Sequence, residues 1–154
     1  PRTRCLLGNA GEVLSFCLSV GASNLGATLD FGHSRYAGER PAQAACLLAR
    51  AGKLFYVHLN DNDGNWDWDM IPGAYNFWEF VEFFYYLHEV GYDDDWYACD
   101  VFSKEADTVA TFDAVTTLIR KLENIASRID EDVMKNLLAC RNPSRTLPYL
   151  YSLI

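Results

Sequence analysis

The sequence has no Cys-x-x-Cys pair, no excess of cations, no apolar run of membrane-spanning length, no internal repeat and no low-complexity tract. Each absence excludes a class. The five cysteines, Cys5, Cys17, Cys46, Cys99 and Cys140, are odd in number and widely spaced, so they form neither a redox motif nor a zinc knuckle. They read as reduced thiols of a cytoplasmic protein, most of them acting as small buried hydrophobes. Lys and Arg number 13 against 21 Asp and Glu, a formal net charge of −8, which opposes binding to a phosphate backbone. No nucleic-acid partner is expected. The most apolar stretch, residues 77–87, is about half a membrane span and contains Glu79 and Glu82, so no membrane partner is expected either. The first residues lack a start methionine and an apolar leader, so no signal peptide is expected and the chain is read as beginning mid-protein.

What remains is globular in composition: 154 residues, half of them apolar, 14% aromatic and 22% charged, with 10 Gly and 5 Pro. That length suits one domain. Helical spacing of Val13, Leu14, Phe16, Cys17 and Val20 ends at Gly21, and a short strand follows over residues 25–30. Pro41 opens a helix closed by Gly52, and Leu54-Phe-Tyr-Val-His-Leu59 is a nearly continuous apolar run that predicts a strand buried on both faces. A polar segment leads into a helix over residues 77–90, terminated by Gly91. Its polar strip is narrow, so burial on more than one side is expected, by a barrel or by another subunit. A third strand is predicted over residues 96–102, then a long helix capped by Asp107 and running to about residue 125, a further helix over 130–138, and an apolar tail. With helices between strands and no hairpin signals, the pattern predicts an α/β fold with parallel strands. A closed parallel barrel takes about 250 residues, so this chain suits only part of one.

Metal-competent side chains stand at every predicted strand end: Asp30 on the first, His58 on the second, Asp100 on the third. In parallel α/β folds that edge is where ligands bind. His33 follows Asp30 by one short turn, and Asp67 and Asp69 follow His58 across a loop. Carboxylates and imidazoles converging in this way suit a hard or borderline divalent cation, manganese first, with magnesium, cobalt and zinc as alternatives, or two cations sharing Asp30. Any one of these residues alone is more simply a core histidine or a helix cap; their repetition at three strand ends carries the argument. Asn60-Asp-Asn-Asp-Gly64 is not a calcium loop, because with Gly64 at the sixth position Leu59 and Met70 fall where ligands are needed. Asp61 and Asp63 are read as solvated turn residues. Phe31, Trp66 and Trp68 flank the acids and are candidate walls of a sugar pocket. His88 is read as structural or exposed.

Gly26-Ala-Thr-Leu-Asp-Phe-Gly-His33, Val57-His-Leu-Asn-Asp61, Trp66-Asp-Trp-Asp69 and Ala98-Cys-Asp-Val-Phe102 together resemble the xylose isomerase-like sugar isomerase and epimerase superfamily, and within it most the L-rhamnose isomerase-type enzymes. The resemblance implies a partial (β/α)8 TIM barrel over residues 1–126: a helix, then three parallel βα units, the last portion of the barrel. Residues 127–154 are a C-terminal helix and tail. It implies that Asp30, His58 and Asp100 hold a structural, substrate-binding metal, and that His33, Asp67 and Asp69, with Asp30 bridging, hold a catalytic one. The implied reaction is interconversion of an aldose and a ketose, with Asp100 the proton carrier if an enediol forms. The superfamily's 3-epimerases use a last-strand glutamate where this chain has Asp100, and its apurinic endonucleases an Asp-x-His where this chain has Asp67-Trp-Asp69. By the same resemblance, a glutamate ligand and a lysine on the preceding strand belong upstream of Pro1. The chain alone is then expected to be inactive, and to be completed by another chain or to self-associate.

Overall fold

The computed structural model describes residues 5–92, 96–102 and 107–154. In chain order these form α1 (Ala10–Val20), β1 (Ala27–Asp30), α2 (Phe31–Tyr36), α3 (Pro41–Arg50), β2 (Leu54–Leu59), α4 (Phe77–Glu89), β3 (Tyr97–Cys99), α5 (Thr108–Ser127), α6 (Glu131–Cys140) and α7 (Pro143–Tyr151). Side chains written into the sequence start these helices. Asn9 accepts from the Glu12 amide at the head of α1, Asp107 from two amides at the head of α5, and Pro41 stands in the first turn of α3, where its missing N–H costs nothing. Gly21 ends α1 in the left-handed conformation that glycine adopts without a Cβ clash.

The strands form one parallel sheet in the order β1-β2-β3, with Asp30 opposite His58 and His58 opposite Ala98. Alternate residues of a strand point to opposite faces. One face carries Leu29, Val57 and Leu59 into a core completed by Ala45 and Leu48 of α3 and by Phe80, Phe83, Phe84 and Leu87 of α4. Phe31 stacks on Phe80 with ring centroids 3.6 Å apart. Burying each such side chain contributes about 1.5–3 kcal/mol. Helix α5 then covers the far side of α4, bringing Val115, Ile119 and Leu122 into the same core, and Trp78 meets Tyr151 of α7 edge to face. The second apolar side of α4 is thus covered within this chain.

The other sheet face is open. Thr28 is exposed, Tyr56 and His58 are half-buried, and only Val57 and Leu59 of β2 are fully buried. The expectation that β2 is buried on both faces is therefore corrected: on the helix side Val57 and Leu59 are covered while Phe55 is 45% exposed, and on the inner side Leu54, Tyr56 and His58 are only half-buried. The third strand is shorter than expected, and residues 31–36, for which the sequence predicts no element, form a helix capped by the Asp30 carboxylate. The apolar tail is also a helix, α7, started by Asn142 and Pro143 and tolerating Pro148 inside it. Of the cysteines only Cys17 is fully buried; Cys46 and Cys99 are half-buried and Cys5 and Cys140 exposed, fewer in the core than expected. Among the described residues no helix is long and apolar enough to cross a membrane. The residue-126 boundary falls in the last turn of α5, and residues 1–4 of the first predicted segment lie outside the described residues.

Candidate metal centre

Because β1 and β2 pair in register at Asp30 and His58, and β3 lies next to β2, the three strand ends converge. His58 Nδ1 stands 3.7 Å from Asp30 Oδ2 and 3.7 Å from Asp100 Oδ2. That is too long for a hydrogen bond, so neither contact consumes the donor atoms. All three ligand atoms lie within 4.8 Å of one another. Two carboxylates and an imidazole form the mixed oxygen and nitrogen set expected of a borderline divalent cation. The three differ in burial: the side chain of Asp30 is 7% exposed, His58 32% and Asp100 54%. The site is therefore anchored at β1 and open to solvent at β3.

The Asp30 carboxylate is held by its surroundings before any ligand arrives. Oδ1 accepts from the His33 amide at 2.8 Å, and Asn60 Nδ2 donates to both oxygens, at 3.1 and 2.9 Å. Burial nonetheless pushes the Asp30 carboxyl above the usual carboxylate range, against those hydrogen bonds and the two nearby histidines. A second group sits beside the first. His33 Nε2 is 2.9 Å from Asp67 Oδ2, while Asp67 Oδ1 is buried with no hydrogen-bond partner. Asp69 is raised first by burial and then by the charges of Asp67, Asp100 and Asp30, so four carboxylates share one electrostatic neighbourhood. An orphaned carboxylate oxygen and crowded like charges are what a cation would satisfy, and the donor set fits one.

The loop carrying Asp67 and Asp69 is fixed by a residue read from sequence as solvated. Asp61 is fully buried: Oδ2 accepts from the Tyr75 and Asn76 amides at 2.7 and 3.0 Å, and Oδ1 accepts from the Asn62 amide and from Asn76 Nδ2. Asp61 also exchanges both backbone hydrogen bonds with Met70. The solvated-turn reading of Asp61 is corrected, because four donors replace water. Asp63 does form a turn, accepting from the Asn65 and Trp66 amides and from Trp68 Nε1. Asp69 takes a left-handed backbone, φ 48°, and its carbonyl accepts from the Phe102 amide, tying this loop to the segment after β3.

The xylose isomerase-like TIM barrel family matches residues 1–125. The chain belongs to this family. An uncharacterized protein of Methanocaldococcus jannaschii is 36% identical over 95 residues, a stretch covering 60% of this chain and 32% of that protein. The chain thus spans about a third of the length of the curated relative it matches. Three adjacent parallel strands with flanking helices agree with part of such a barrel, and the cluster lies at the C-terminal strand ends, the functional face of that architecture.

Of the residues singled out from sequence, the structure brings Asp30, His58 and Asp100 into one group and joins His33 to Asp67 beside it, with Asp69 in the same field. Trp66 and Trp68 are 42% and 54% exposed on the loop, accessible to a ligand. Phe31 is not: it is fully buried with one ring face against Phe80, and its placement in a sugar pocket is corrected to the core. The alternation of Tyr56 and His58 along β2, carried on to Asn60 just beyond it, is the signal for Asn60, since a residue two beyond a ligand at a strand end faces the same way.

Proposed function

We propose that this xylose isomerase-like chain carries the metal-holding strand ends of a divalent-metal-dependent aldose-ketose isomerase, closest in kind to L-rhamnose isomerase. The observation that supports it is the Asp30, His58 and Asp100 group, aligned on three adjacent strand ends with the His33 and Asp67 pair beside it. Asp30, His58 and Asp100 would hold one cation and His33, Asp67 and Asp69 a second, with manganese the first candidate and magnesium, cobalt or zinc the alternatives. Such a cation supplies positive charge where alkoxide charge develops as hydrogen moves between C1 and C2 of the sugar. Asp30 and His58 are the anchored members. Asp100, the most exposed carboxylate of the three, is placed to take and return a proton along an enediol route. Trp66 and Trp68 offer apolar ring faces to the sugar's C–H surface.

A second reading, a non-catalytic metal-holding and assembly module, is favoured by the open inner face of the three-stranded sheet, which exposes Thr28 and half-exposes His58. Unpaired strand edges call for a covering chain, another copy or a separate polypeptide. Manganese is added to the purified chain and aldose-ketose interconversion is followed by NMR. Turnover supports the isomerase; tight binding without turnover supports the module; a product inverted at C3 of a ketose moves the assignment to an epimerase. Asp30→Asn is expected to abolish metal binding at both positions. Unchanged metal content in that variant would sink the ligand assignment.

A further inference from the structure

Asn60 is fully buried directly beyond β2, and its two ends meet different surroundings. Nδ2 bridges both oxygens of Asp30, whereas Oδ1 is buried with no hydrogen-bond partner. Leaving a buried amide oxygen unpaired is unfavourable, so the orientation must be set by the other end. The carboxylate accepts only, so a flipped amide would set oxygen against oxygen. The space for Oδ1 exists because residue 32 is glycine: a Cβ there would stand 1.7 Å from Asn60 Oδ1 and 2.8 Å from its carboxamide carbon. Asn62 Nδ2 holds the Gly32 carbonyl at 2.7 Å, which fixes the α2 backbone over the carboxamide.

We propose that Asn60 is the positioning residue of the cation site, and that Gly32 is its seat. The carboxamide fixes the plane of the Asp30 carboxylate. One oxygen then caps α2 through the His33 amide, and the other faces His58 Nδ1 and Asp100 Oδ2 across the space where the donor atoms converge. Without the amide, Asp30 keeps its helix-capping contact and is free to rotate its second oxygen away from His58. Asn60 is not itself one of the three grouped donors; it acts through Asp30. The inference rests on the metal-site reading given above.

Two measurements on the full chain decide it. In manganese titrations followed by the EPR signal of the free ion, Asn60→Asp, which keeps the shape and removes the donors, and Asn60→Ala are expected to weaken binding about 10- to 100-fold. Leu48→Ala, a core truncation remote from the site, shows how far lost stability alone moves affinity. Asn60 variants no weaker than Leu48→Ala would overturn the proposal. The second measurement needs no metal: the side-chain amide resonances of Asn60 are expected to exchange slowly with solvent and to shift and lose that protection in Asp30→Ala. If they are unchanged in Asp30→Ala, the positioning role is wrong. If the unmodified chain binds no manganese, the metal reading fails while the amide resonances still decide whether Asn60 orients Asp30.

Discussion

The two faces of the sheet are made by alternate residues of the same strands, yet they differ in almost every physical respect. Toward the helices, Leu29, Val57 and Leu59 meet a phenylalanine-rich layer and exclude water. Toward the other side, Thr28 is exposed, Tyr56 and His58 are half-buried, and the strand ends carry two carboxylates and an imidazole. The closed face makes the fold stable and the open one makes it chemical. The polar groups can be held there because Asn60, Asn62, Asp61 and Asn76 form a buried, mostly satisfied network beneath them.

That division can be broken most severely from the closed side. Phe80→Ala removes the ring stacked on Phe31 and is expected to cost about 3–5 kcal/mol in urea denaturation. A loss below about 1 kcal/mol would mean that the aromatic layer is not the stabilising one. Gly32→Ala strikes the seam between the faces and should cost about 1–3 kcal/mol by overpacking against Asn60, with weaker manganese binding. A variant as stable as the parent would show that the carboxamide is readily displaced.

The acidic cluster predicts a smaller, pH-dependent effect. Asp30 and Asp69 are both held above the ordinary carboxylate range, Asp30 by burial and Asp69 by burial and then its acidic neighbours. A carboxyl raised in the folded state binds its proton more readily folded than unfolded. Its contribution to stability is present below the unfolded pKa and lost as pH rises through the folded one. Metal-free protein should therefore gain stability as pH falls toward the ordinary carboxylate range, and Asp69→Asn should flatten that slope. Asp63 works in the opposite direction, lowered by the Asn65 amide, but its contribution is lost only at lower pH as carboxylates protonate. A slope of the reverse sign would refute the crowding argument. The smallest stability change belongs to His58→Ala on the open face, within about 0.5 kcal/mol, while manganese binding is lost. Equal losses from His58→Ala and Phe80→Ala would erase the distinction between the faces.

Much of this was legible in the residues. Gly21, Pro41, Gly91 and Asp107 marked helix limits because caps act through local geometry, and the strand-end positions of Asp30, His58 and Asp100 followed from placing three short apolar runs. What was not legible depended on contacts distant in sequence. Asp61 looks like a turn residue until the amides of Tyr75 and Asn76 fold back onto it, and Phe31 looks like a pocket wall until Phe80 arrives from α4. The helix in residues 143–151 was obscured by Pro148, which disfavours a helix by local propensity but is accommodated in this short one. The openness of the inner sheet face was hidden for a different reason: the run over β2 is apolar on both sides, and sequence hydrophobicity alone does not say which side is covered.

The order of the strands has a temporal meaning as well. Each strand pairs with the one made just before it, so the sheet can grow unit by unit as the chain is synthesised, each addition closing a crossover that carries its own helices. Asp30 and His58 meet when β2 docks, but Asp100 arrives only with β3, a strand of three residues held to its neighbour along one side and steadied by the Phe102 amide on the Asp69 carbonyl. The third donor is thus the last to be installed and the first to be lost when the edge frays. A cation gripping it would act as a latch on the final folding step, slowing amide exchange in β3 far more than in β1.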